Sequence, residues 1–137
     1  MEAAGFIRRM FALIYDSLVV LAAILSSSLL LVWINGGQAE PGTFLSFLQF
    51  IIIISLGPIF YSYFWTKNNG QTIGMQVWKI RLVSLSGRKL TLEEAIKRCF
   101  FSTLLIPGHF WILFNKNKLS LSDILSQTRI VKVENIK

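Results

Sequence analysis

Two long runs without a charged side chain decide most of what this chain can fold into. Leu18 to Ile34 holds no Lys, Arg, Asp or Glu, and neither does Phe44 to Trp65. A helix needs about 20 mostly apolar residues to cross the hydrocarbon core of a bilayer. With 137 residues in all, the rest of the chain is too short to wrap two such helices in a protein interior, because surface dominates in small domains. Charged residues make up 15% of the sequence, well below the roughly 25% of a soluble domain. The mean hydropathy of +0.57 points the same way. A bilayer is the solvent these runs require, so the chain is expected to be a mainly α membrane protein.

The first span is expected over about 11–34 and the second over about 44–65. Gly57-Pro58 lies inside the second run. Neighbouring helices can re-satisfy the carbonyl that a membrane proline frees, so a kink is expected there rather than a break. Tyr61, Tyr63 and Trp65 at its end suggest an interfacial aromatic belt. A third apolar segment, 99–114, is short for a span and is cut by Pro107-Gly108. It is expected to form a re-entrant hairpin, with a third full span as the alternative. Arg8 and Arg9 before the first run resemble a signal-peptide n-region, but Asp16 interrupts the run and the run exceeds an h-region. A retained helix is expected, not a cleaved leader.

Loop charges set the orientation, because Lys and Arg concentrate on the cytoplasmic side. The N-tail carries Arg8 and Arg9, and the loop Asn35 to Thr43 carries no Lys or Arg. The segment 66–98 carries seven basic residues, and the tail 115–137 carries five. Both termini and the middle segment are therefore expected in the cytoplasm. Three full spans would place the basic tail outside, which favours the hairpin. The net charge of +7 suits an anionic leaflet. No basic face with interleaved aromatics indicates a nucleic-acid partner.

The polar segments carry structure of their own. Lys79 to Leu85 and Thr128 to Glu134 read as strands that pair on one side of the membrane, giving a two- or three-stranded β element. Ser86-Gly87-Arg88 is a turn signal. Thr91 and Glu94 have the spacing of a capping box, in which each side chain satisfies the other's backbone N–H. A helix should therefore run from Leu92 to about Ile106, where Pro107 stops it. Gly70 to Trp78 is expected as a short element lying along the interface. No repeat or linker divides the chain, so 1–137 is one expected domain.

Few residues offer chemistry. Asp16 is costly inside a membrane helix and needs a partner. Arg9, two turns earlier on the same face, and Arg98 are the candidates. Asp16 reads first as half of a structural ion pair and second as a proton or cation site. Asp123, after Ser120 and Ser122, reads as a cap or surface turn. His109, the only histidine, reads as a hydrogen-bonded interface residue. Gly70-Gln71-Thr72-Ile73-Gly74 lacks the Lys-Ser/Thr of a phosphate loop, and its glycines are expected to serve a tight exit and close packing. Ser26-Ser27-Ser28 supplies small contacts between helices. Cys99, the single cysteine, has no disulfide partner. Neither a metal-ligand pattern nor a nucleophile–base motif occurs, so no enzyme, cofactor or metal is expected.

These residues carry a resemblance. The sequence resembles the RDD family of small bacterial membrane proteins, named for one Arg and two Asp. Gly5, Arg9, Ala12 and Asp16 fit the spacing of that family's opening motif. Gly70-Gln71-Thr72-Ile73-Gly74-Met75 matches its Gly-Gln-Thr-Leu-Gly-Lys stretch, with Met75 in place of Lys. Arg98 matches the Arg-bearing helix, and Asp123, Thr128 and Ile130-Val131 match the closing motif. Ser122 stands there for the usual His and Gln127 for the usual Gly. The resemblance implies a multi-pass protein of the cytoplasmic (inner) membrane. It also implies a transport-related role, cation/proton exchange in some members. A homo-oligomer or a membrane-protein partner is expected, because two spans and a hairpin enclose little volume. The competing expectation is a non-catalytic scaffold or assembly subunit of a larger complex. A third, weaker one is a lipid-related accessory protein using the basic cytoplasmic face.

Overall fold

The computed structural model describes residues 2–37, 40–104, 113–114, 117 and 119–133. Two long helices dominate it: α1, Phe6–Ile34, and α2, Phe44–Lys67. Both are long and apolar enough to cross a membrane, and neither apolar window is buried within the chain. Leu18, Leu29, Phe44 and Ile54 are all more than half exposed. Side chains of this kind, unburied along two whole helices, are accommodated by lipid rather than water. Gln49 Nε2 donates to Ser28 Oγ at 2.6 Å across the pair. Ser26 and Ser27 bond instead to carbonyls of their own helix.

Helix α1 begins at Phe6, five residues before the expected span, because helical hydrogen bonding does not require apolar side chains. Its 29 residues measure roughly 43 Å, longer than the roughly 30 Å hydrocarbon core. The helix is thus longer than a span requires by roughly two turns. Helix α2 passes through Pro58 without a break, as expected.

A small polar layer caps one end of this pair. Asn68, with a C-cap bond to Phe64 O, ends α2, and Gly70 turns the chain at φ +78°. Thr72 then caps a short helix α3, Ile73–Val77. Strand β1, Ile80–Ser84, pairs antiparallel with β2, Thr128–Lys132, with Leu82 opposite Ile130. Ala3 bridges to Val131 and Ala4 N donates to Ile130 O at 2.9 Å, so the N-terminal residues lie along the outer edge of β2. Between the strands come α4, Leu92–Leu104, and α5, Leu121–Leu125. The Thr91–Glu94 capping box is present, with bonds of 3.0 and 3.3 Å. Ile80, Leu82, Ile130, Ala95, Met75 and Trp65 form the core beneath the sheet.

Two expectations need correction. Trp65 is 5% exposed and belongs to this core instead of an interfacial belt, whereas Tyr63 is 60% exposed. Asp123 is fully buried, so of its two expected readings the surface turn falls and the cap holds. Its carboxylate is the N3 partner in a capping box whose N-cap is Ser120. Most of the expected hairpin, with Pro107-Gly108 and His109, lies outside the described residues.

Candidate functional site

The polar residues singled out in the sequence gather where α1, α3, α4 and α5 meet, in two separate networks. The first centres on Asp123. Its Oδ2 accepts from Arg9 Nη1 at 2.5 Å and from Ser120 N at 3.0 Å, while Oδ1 accepts from Arg98 Nη1 at 2.6 Å. One carboxylate thus binds a guanidinium from α1 and another from α4. Arg9 also donates Nε to Ala4 O and Nη2 to Ile130 O. Arg98 Nη1 also reaches Thr128 Oγ1 at 2.8 Å, and Thr128 pairs with Ser126. All three charged residues are at most 7% exposed. Burial by itself would raise the Asp123 pKa, but the guanidiniums of Arg98 and Arg9 and the Ser120 N–H outweigh it. Its carboxyl is held below the usual carboxylate range, charged whenever the chain is folded near neutral pH.

The second network centres on Asp16. Its Oδ2 accepts from Thr72 Oγ1 at 2.5 Å and its Oδ1 from Gly74 N at 2.8 Å. The expected partners, Arg9 and Arg98, are both held by Asp123, so Asp16 satisfies itself on the first turn of α3. This works because Gly74 lies flat on α1: a Cβ there would collide with the Ala12 carbonyl oxygen. Gly70 is as tightly placed, since a Cβ would collide with the Leu82 carbonyl oxygen, and its own carbonyl accepts from Leu82 N at 2.7 Å. Gln71 Nε2 ties the same turn to Ile80 O at 2.9 Å. The glycines serve close packing, as their spacing suggests.

A cavity of about 400 Å³ lies between α1, α2 and α4, beside both networks. Arg9, Asp16 and Arg98 are its charged walls, and Met10, Leu13 and Pro58 are among its apolar ones. Gly57 widens it, because nothing lies within 4 Å of where its Cβ would stand. The Arg98 guanidinium sits 5.5 Å over the Trp65 ring, a cation–π contact that no spacing in the sequence announces. The size is that of a small-ligand site, and a few polar groups set in apolar walls are the usual make-up of one. Cys99 also lines the cavity. Among the described residues, no three His, Cys, Asp or Glu side chains cluster as metal ligands would.

A family model described as the RDD family matches residues 3–127. The chain belongs to the RDD family. No curated protein and no solved structure matches it. The match spans every polar residue of both networks except Thr128, one position beyond its end. Within this RDD chain the first Asp latches α3 to α1, and the second binds Arg9 and Arg98. The departures from the family pattern also acquire places. Met75 is buried in the core, and Ser122 is buried against Ser120, 2.9 Å between hydroxyls. Gln127 adopts φ +52°, the left-handed region that glycine occupies without strain, which accounts for glycine as the usual residue there.

Proposed function

We propose that this RDD protein is a non-enzymatic, transport-related protein of the cytoplasmic membrane that admits a small solute or ion into the α1–α2–α4 cavity. One observation carries the reading: a cavity of about 400 Å³, lined by Arg9, Asp16 and Arg98, opens beside two membrane-length helices. An ionisable group on a membrane-length helix, as Asp16 is, marks a substrate or ion path by default. Two spans enclose too little volume for a complete pathway, so the working form is an oligomer. On this reading the polar layer and both termini face the cytoplasm. The basic residues of that layer support this, and so do the contacts that gather residues 2–5, β1 and β2 at one end. The Arg98–Asp123 bond supports α4 and α5 lying on the same side of the membrane.

Flux measured in liposomes with wild type and Asp16→Asn tests the proposal. Reduced flux in the variant is expected. Equal flux removes Asp16 from the mechanism, and no flux from either protein overturns the transport reading. The scaffold reading keeps a specific support: Arg9, Asp16, Arg98 and Asp123 all have partners within the chain. Crosslinking in native membranes separates the two, since a reproducible hetero-partner together with absent flux favours the scaffold. A reporter fused after Lys137 should read cytoplasmic.

A further inference from the structure

Two buried donors stand at one end of the cavity. Arg9 and Arg98 both bond the carboxylate of Asp123, which does not line the cavity. Asp16, the other nearby carboxylate, is 1% exposed and already holds the Thr72 hydroxyl and the Gly74 N–H. Among the described residues, Arg98 Nη1 bonds Asp123 and Thr128, and its Nε has no partner. The indole Nε1 of Trp65, the ring beneath Arg98, has none either. Both residues line the cavity, and both are at least nine-tenths buried, Arg98 at 3% and Trp65 at 5% exposed. Buried donors without acceptors are costly and uncommon, and two stacked on one another at a cavity wall point to an acceptor brought by a ligand.

From these donors and the apolar wall we infer that the cavity binds an amphipathic lipid of the bilayer carrying one anionic headgroup, with the headgroup at Arg98 and Trp65. The tail lies along Met10, Leu13 and Pro58. A guanidinium and an indole N–H suit phosphate or carboxylate oxygens, because both are donors only. The apolar walls, the exposed helix faces on either side and the roughly 300 to 1,000 Å³ typical of ligand sites favour a lipid over a free hydrophilic anion. Neither unpartnered nitrogen touches water-accessible space, so a rotation of Arg98 on the Trp65 ring accompanies binding. The inference rests on the proposal that this cavity is a ligand site, and it names the ligand class.

The full chain in phosphatidylcholine bilayers provides the test, with tryptophan emission as readout. In a chain carrying Trp33→Phe, Trp78→Phe and Trp111→Phe, so that Trp65 alone emits, a bromine-tagged alkyl phosphate should quench at a membrane fraction about tenfold lower than the matching alcohol or alkylammonium. Equal quenching by all three would overturn the anionic assignment. Gly57→Leu fills the cavity without touching either network and replaces a helix-interior glycine, so it should fold and lose the excess quenching. Quenching intact in Gly57→Leu places the lipid elsewhere and overturns the site. Displacement by inorganic phosphate as effectively as by alkyl phosphate would assign the site to a free anion and overturn the lipid. Selective quenching without flux leaves this site standing and removes transport, and flux without selective quenching does the reverse.

Discussion

Asp123→Asn isolates the central interaction of the fold. The carboxylate accepts three hydrogen bonds, two of them from guanidiniums. An asparagine of the same shape keeps one acceptor oxygen and turns an NH₂ towards a second donor. At least one charge-assisted bond is lost, about 1.5–3 kcal/mol. Two buried guanidiniums are also left facing one another without a counter-charge, and breaking a buried ion pair from one side costs about 3–5 kcal/mol in all. Asp16→Asn is the internal control. Its oxygen can still accept from Gly74 N, and its NH₂ can donate to the Thr72 hydroxyl, so the cost should stay near 1 kcal/mol. Reversible unfolding in mixed micelles, followed by tryptophan emission, compares them. The double variant Asp123→Asn, Arg98→Gln should lose less than the sum of its single variants, because the second change removes a stranded charge. A loss below about 1 kcal/mol for Asp123→Asn, or equal losses for the two aspartates, would refute this account of the network.

Other consequences follow from single positions. Gly74→Ala should destabilise by about 1–3 kcal/mol in the same unfolding assay, because the added Cβ drives α3 off the Ala12 carbonyl and loosens the Asp16 latch. Gln127→Gly should be neutral or stabilising by up to about 1 kcal/mol: relief of the left-handed φ +52° is offset in part by the freer unfolded chain. The depressed pKa of Asp123 contributes stability that is fully present above the unfolded value of about 3.9 and is lost as pH falls through the lower folded value. Glu94, held low by the Thr91 and Ser84 bonds against its partial burial, acts in the same direction. An acid titration should therefore be flat in these contributions from neutral pH to about 4 and fall below it; a midpoint above pH 5 for the polar layer would count against the network.

What the sequence made legible follows the range of the interactions. The spans are local properties of apolar runs, and the Thr91–Glu94 box needs only a three-residue spacing, so both are found where expected. The strand pair was accessible because two short β-prone segments had to find each other on one side of a membrane. The ion network was not, since Arg9 and Asp123 are 114 residues apart and no periodicity links them. Proximity along α1 suggested Arg9 for Asp16, yet the two residues serve different networks. Trp65 misled for a related reason: an aromatic at the end of a span usually meets the interface, and only the tertiary placement of Arg98 above it makes it core.

The two aspartates do different work because of what each can reach. Asp16 lies on the membrane-length helix α1, where a free carboxylate is expensive. The N–H and hydroxyl of the first turn of α3 are the donors at hand there, and Gly74 is the residue that lets them approach. Asp123 lies in the polar layer, where two guanidiniums can converge on it from α1 and α4. Together they join the membrane pair to the sheet at two points: α3 to α1 through Asp16, and α5 to α1 and α4 through Asp123. The cavity lies between these points, walled by Arg9, Asp16 and Arg98. Movement of α4 relative to α1 therefore changes the cavity and the Asp123 network together, and a ligand that engages Arg98 would be felt at the sheet through Thr128 and β2.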